Sequence, residues 1–149
     1  MPSTTHDTFS LERTYPAPPA RVFAAWSDRD AKARWFACHA EYTLDFRVGG
    51  GELTRGGEPG GPVFSTETRF HDIVPERRIV YTYALHRDAT LVSVAIVTVE
   101  LAPAGTGTRL VLTEQGTYPD GHMAPEQIRT GTADALRRLD AELAGTPGE

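Results

Sequence analysis

Apolar and polar residues alternate from Thr8 to Tyr15, with Phe9, Leu11, Arg13 and Tyr15 on one side and Ser10, Glu12 and Thr14 on the other. This two-residue period predicts a half-buried first strand. In PAPPARVFAAW the pattern changes: Pro18 and Pro19 precede Val22, Phe23 and Trp26, which share one helical face. Proline suits a first helical turn because its missing N–H has no intrahelical acceptor there. Ser27 or Asp28 then caps a second short helix, DRDAKARWF, which ends in Trp35–Phe36.

Alternation returns at Glu41, with Tyr42, Leu44, Phe46 and Val48 opposite Glu41, Thr43, Asp45 and Arg47. The glycines 49–51 permit a turn into a return strand over Glu52 to Arg55. Beyond the loop GGEPGGP, further strands are expected over Val63 to Val74, RRIVYTYALHR, Leu91 to Leu101 and Thr108 to Gln115. Pro125 opens a last helix in which Ile128, Thr132, Ala135, Leu136, Leu139 and Leu143 recur at three- and four-residue steps, until Gly145 and Pro147 end it. A sheet needs cover on one face and a helix needs a partner for its apolar stripe. The expected fold is therefore α+β: a curved antiparallel sheet wrapped around a long C-terminal helix, with two short helices after the first strand.

Composition narrows the function classes. With 149 residues, 40% hydrophobic and 23% charged, the chain reads as one domain with a real core, ordered over about 8–145. No apolar run approaches the roughly 20 residues of a membrane-spanning helix, and MPSTTHDTFS does not read as a secretory signal. A cytoplasmic location without membrane insertion is expected. The net charge of −5 argues against nucleic acid as a partner. Cys38, the single cysteine, excludes an internal disulfide and is expected to be a small buried hydrophobe. Lys32 is the only lysine, which reads as coding bias without functional weight.

The stretches RTYPAPPARVFAAWSD, WF after the second helix, FRVGGGE, F(H)DIVPERRIVYT and GTRLVLTEQG, followed by the closing helix, together resemble the SRPBCC or START-like superfamily. This is the helix-grip fold of the birch pollen allergen. Within it, the chain is most similar to the bacterial family named after the activator of the heat-shock-protein ATPase. The resemblance covers roughly Phe9 to Ala144. It implies a cavity between sheet and helix of the kind used by lipid carriers, plant hormone binders and polyketide aromatase/cyclases. Fold alone does not select among them.

Strand parity assigns Tyr42, Leu44, Phe46, Phe64, Phe70, Tyr81, Tyr83, Leu85, Ala95, Val97, Val99, Leu110, Leu112 and Glu114 to the inward face. A ligand cavity is expected to use Trp35, Phe46, Phe64, Tyr81, Tyr83, Met123 and Ile128, with Glu114 near one end. A carboxylate in such a place would be desolvated, with a raised pKa, and would serve as acid, base or anchor. The plainer alternative puts Glu114 at a strand end, in solvent or paired with an arginine. Tyr81 and Tyr83 either present hydroxyls to a ligand or pack as core, and Trp26, Trp35 and Phe36 either stack on a ligand or close the end of the sheet. His6, His39, His71, His86 and His122 show no metal-ligand spacing, and neither a nucleophile elbow nor a phosphate loop is present. No metal and no cofactor is expected.

Three functions follow. The first is binding or carrying a small apolar molecule, aromatic or lipid-like. The second is a cofactor-free cyclase, dehydratase or hydrolase using Glu114 with Tyr81 or Tyr83. The third is a chaperone-regulating interaction module. The sequence leaves a homodimer open.

Overall fold

Two edge strands that follow one another in sequence need a connection across the whole sheet, and this fixes the place of the short helices. In the computed structural model, which describes residues 1–38 and 40–145, the seven strands run in the order β1-β7-β6-β5-β4-β3-β2. The first strand, β1 (Thr4–Tyr15), begins four residues earlier than the alternation suggests and pairs antiparallel with β7 (Gly107–Pro119). The other edge is the four-residue β2 (Glu41–Leu44), which pairs with β3 (Gly51–Gly56). Between the edges lie β4 (Phe64–Val74), β5 (Arg78–Arg87) and β6 (Thr90–Ala104), joined as a meander.

From the end of β1 the chain crosses to β2 through α1 (Pro19–Ser27), α2 (Arg29–Lys32) and a π-helical turn (Ala33–Ala37). Of the two caps considered, Ser27 and Asp28, it is Asp28 that caps the second helix, its Oδ2 accepting from the Ala31 N–H at 2.9 Å. The expected single second helix is thus a short α-helical piece that widens into a π turn, a form common at functional sites. The long helix α3 (Pro125–Ala144) has Pro125 in its first turn, and Gln127 reaches back to accept from the Ala124 N–H at 2.9 Å. Gly145 ends it as expected, whereas Pro147 lies outside the described residues, as does His39.

α3 lies against β1, α1 and the π turn, and its Leu136, Leu139 and Leu143 enter a core with Val22, Trp26, Val97, Val99 and Leu110. Tyr15 ties the first strand to this helix, its hydroxyl donating to the Leu136 carbonyl at 3.0 Å. The alternation of β6 and β7 follows the expected parity: Ala95, Val97, Val99, Leu110, Leu112 and Glu114 are all buried.

Three expectations are corrected. Cys38 is exposed, because the chain turns there at φ 52° as it leaves the π turn. Val48 is 57% exposed, because β2 stops at Leu44 and the chain turns on itself, with Gly50 N–H donating to the Arg47 carbonyl. Lys32, set aside at the sequence level, is completely buried.

Candidate functional site

A cavity of about 240 Å³ lies between the inner sheet face and α3. This is below the usual span of roughly 300–1,000 Å³ for ligand pockets. The helix contributes residues at three- and four-residue steps: Gln127, Ile128, Gly131, Thr132, Ala135, Leu136 and, two turns beyond Gly131, Arg138. The sheet contributes Thr66, Thr68, Tyr81, Tyr83, Leu85, Leu112 and Glu114, and the helical connection closes one side with Trp26, Trp35 and Phe36. The lining is mainly apolar.

Glu114 is the buried acidic group in it. It occupies the inward row of β7 with Leu112 before it and Gly116 after it, opposite Phe9 on one neighbour and Val97 on the other, and is 3% exposed. The Tyr83 hydroxyl donates to its Oε2 at 2.8 Å. Burial pushes the Glu114 carboxyl up to about 7, opposed by the Tyr83 hydrogen bond and assisted by the charge of Asp7. A group of this kind exchanges a proton near neutrality and can accept or donate a hydrogen bond. Burial, with the Glu114 charge, holds the Tyr83 hydroxyl well above its ordinary range, and burial with Glu52 and Glu114 does the same for Tyr81. Both are neutral hydrogen-bond donors.

Behind the aromatic wall sits a second polar cluster. Lys32 Nζ is 2.7 Å from Glu52 Oε2, which also accepts from the Tyr42 hydroxyl. The ammonium lies 4.7 Å from the Phe36 ring centroid, 5.2 Å from Trp26, 5.7 Å from Phe70 and 5.8 Å from Tyr81. Such ring faces attract a cation, more strongly when it is desolvated. This cluster orients Trp26, Phe36 and Tyr81, all three of which line the cavity.

Of the residues expected at the cavity, the structure places Trp35, Tyr81, Tyr83, Glu114 and Ile128 around it. Phe46, Phe64 and Met123 lie outside the lining. The Phe46 ring is taken up by edge contacts with Phe70 at 5.0 Å and Phe23 at 5.7 Å. Phe64 stands at the very start of β4, opposite Arg87 at the end of β5. Met123 packs against the edge of the core ahead of α3. Thr66 and Thr68 alternate along β4 in step with Phe64 and Phe70, a signal that could have added them to the inward set, and the helical stripe that carries Ile128 extends to Gly131 and Ala135. Arg138 carries no comparable signal, because a charged residue on an amphipathic helix reads as solvent-facing. Among the described residues, no three His, Cys, Asp or Glu side chains gather as a metal site requires, and no helix is long and apolar enough to cross a membrane.

A curved antiparallel sheet holding a C-terminal helix over a small apolar cavity is the helix-grip, START-like class of protein. Within it, the chain belongs to the Activator of Hsp90 ATPase homolog 1-like protein family, whose sequence model matches residues 16–144. Among solved structures it is similar to the Mll3558 protein from Rhizobium loti, with 44% identity, 94% of this chain and 99% of that chain covered, and a TM-score of 0.89. A protein from Rhizobium leguminosarum matches with 37% identity over 97% of this chain and 98% of that one, with a TM-score of 0.93. The fold alone extends to DynU16, from the dynemicin biosynthetic locus, at 20% identity over 93% of this chain and 47% of that one, with a TM-score of 0.70. No curated protein matches the sequence significantly.

Proposed function

We propose that the protein binds or carries a small, mainly apolar molecule in the cavity between sheet and α3, and that the Glu114–Tyr83 pair anchors a polar group of that molecule. The observation that carries this reading is a buried carboxyl, with a neutral tyrosine hydroxyl 2.8 Å away, in the wall of a mainly apolar cavity. Burying a carboxyl costs stability unless it is hydrogen-bonded or neutralised, and a ligand polar group beside it recovers part of that cost. The cavity volume favours a compact molecule of one or two rings over a long lipid chain.

The experiment is native mass spectrometry on protein purified from its own cells, followed by thermal shift with whatever is released. Binding raises the stability of the folded state by RT ln(1 + [L]/Kd), about 2.7 kcal/mol at a hundredfold excess over Kd. Ile128→Trp, which fills the cavity, should remove the shift. Equal shifts in wild type and Ile128→Trp would sink the proposal.

A second reading, a cofactor-free enzyme, is favoured by one observation: the Glu114 carboxyl lies near 7, where a general acid or base works best. Under this reading, a released compound incubated with wild type changes chemically. With Glu114→Gln it stays intact.

A further inference from the structure

We infer that the ligand of this cavity carries an anionic group, a carboxylate or an equivalent oxyanion, held at the cavity mouth by Arg138; the inference rests on the cavity being a ligand site. Arg138 is exposed, lines the cavity on one side and a surface depression with Arg34, Trp35 and Glu142 on the other, and therefore stands at the opening. Its Nε donates to the Trp35 carbonyl at 2.9 Å. That carbonyl belongs to the π-helical turn, and the bond ties the guanidinium to the backbone of that turn instead of leaving it free to sweep through solvent.

An arginine on a helix normally finds a carboxylate one turn away. Arg138 has two at that spacing, Asp134 and Glu142, and each is engaged elsewhere. Asp134 pairs with Arg137. Glu142 makes two hydrogen bonds of 2.8 Å to Arg34. Among the described residues, the two terminal nitrogens of Arg138 have no acceptor and its charge has no partner. These nitrogens form a planar fork that matches the paired oxygens of a carboxylate or a similar oxyanion. An apolar acid would place its body among Trp35, Tyr81 and Ile128 and its charge on Arg138, leaving the Glu114–Tyr83 pair for a second polar substituent.

The test uses matched pairs of an acid and its neutral amide: 1-naphthoic acid with 1-naphthamide, cinnamic acid with cinnamamide, and decanoic acid with decanamide. Binding is read by quenching of Trp26 and Trp35 and checked by calorimetry. In wild type, at least one acid is expected to bind about tenfold more tightly than its amide, the worth of one charge-assisted pair at a partly exposed site. Arg138→Gln is expected to erase that ratio, read as acid against amide within the same protein so that any change common to both ligands cancels, and Arg138→Lys to retain part of it. Equal acid and amide affinities in wild type would overturn the anion inference and leave the cavity reading standing. An acid preference that persists in Arg138→Gln would overturn the assignment to this residue. If no member of any pair binds, both readings fall together.

Discussion

Lys32 and Glu52 form an ion pair of 2.7 Å in which each side chain is 1% exposed. A charged pair so far from water is stable only if both charges keep their partners, because one charge left alone is costly. Here Glu52 is shared with Tyr42, and Lys32 with four ring faces. Lys32→Met is expected to destabilise the protein by about 3–5 kcal/mol through the orphaned carboxylate, and Glu52→Leu by a similar amount. The double variant is expected to recover most of that loss. Urea unfolding of the four proteins gives the coupling energy directly. Single variants that cost no more than an exposed pair, below about 1 kcal/mol, would show the two charges to be independent.

The packing of α3 is tested at Leu136, which is 1% exposed and lies on the turn whose carbonyl accepts from Tyr15. Leu136→Ala is expected to cost about 3 kcal/mol, as buried leucine truncations do. Leu136→Asp adds an unpaired buried charge and is expected to cost more. A Leu136→Asp protein with unchanged melting temperature would be incompatible with the sheet and helix packing described.

Gly131 lies in the middle of α3 and lines the cavity, and a Cβ placed on it meets nothing within 4 Å. Mid-helix glycine loses about 0.5–1 kcal/mol relative to alanine. Gly131→Ala should therefore raise stability by that amount, since open space imposes no clash. Gly131→Leu would instead narrow the cavity, so weaker ligand affinity without a stability loss is expected. A Gly131→Ala protein less stable than wild type would show that something occupies the space.

Periodicity read the architecture well because both periods persist over many residues: the alternation of β6 and β7, and the stripe from Ile128 to Leu143. It failed where local geometry breaks a period. Phe46 and Val48 continue an alternation whose strand ends at Leu44. Cys38 follows a π turn that no hydrophobic pattern announces. Glu114 was legible from the parity of Leu110 and Leu112, although parity alone left its exposure open. Lys32 was the largest omission. Its pairing with Glu52 joins α2 to β3 across twenty residues, and burial of a lysine depends on a carboxylate that only the assembled fold supplies. Arg138 was silent for the same reason, since its vacancy follows from Arg34 and Arg137 occupying its neighbours.

The buried Glu114 carboxyl makes a pH signature that the cavity reading needs. Its ordinary value of 4.5 rises to about 7 in the folded protein, through burial first. The folded state thus holds a proton that the unfolded chain releases, and stability linked to this group is fully present below pH 4.5 and lost as pH rises to about 7. At about 1.4 kcal/mol per pH unit, the loss amounts to roughly 3 kcal/mol by pH 8. Glu114→Gln keeps the size of the side chain and an oxygen for the Tyr83 hydroxyl but cannot ionise. Relative to wild type, it is expected to be near neutral at pH 4 and more stable by about 2–3 kcal/mol at pH 8. Guanidinium unfolding at both pH values measures the difference, and the Tyr83→Phe protein is the control, since removing the donor should push the carboxyl higher still. Stability differences that stay constant between pH 4 and 8 would place Glu114 in contact with water and remove it from the site.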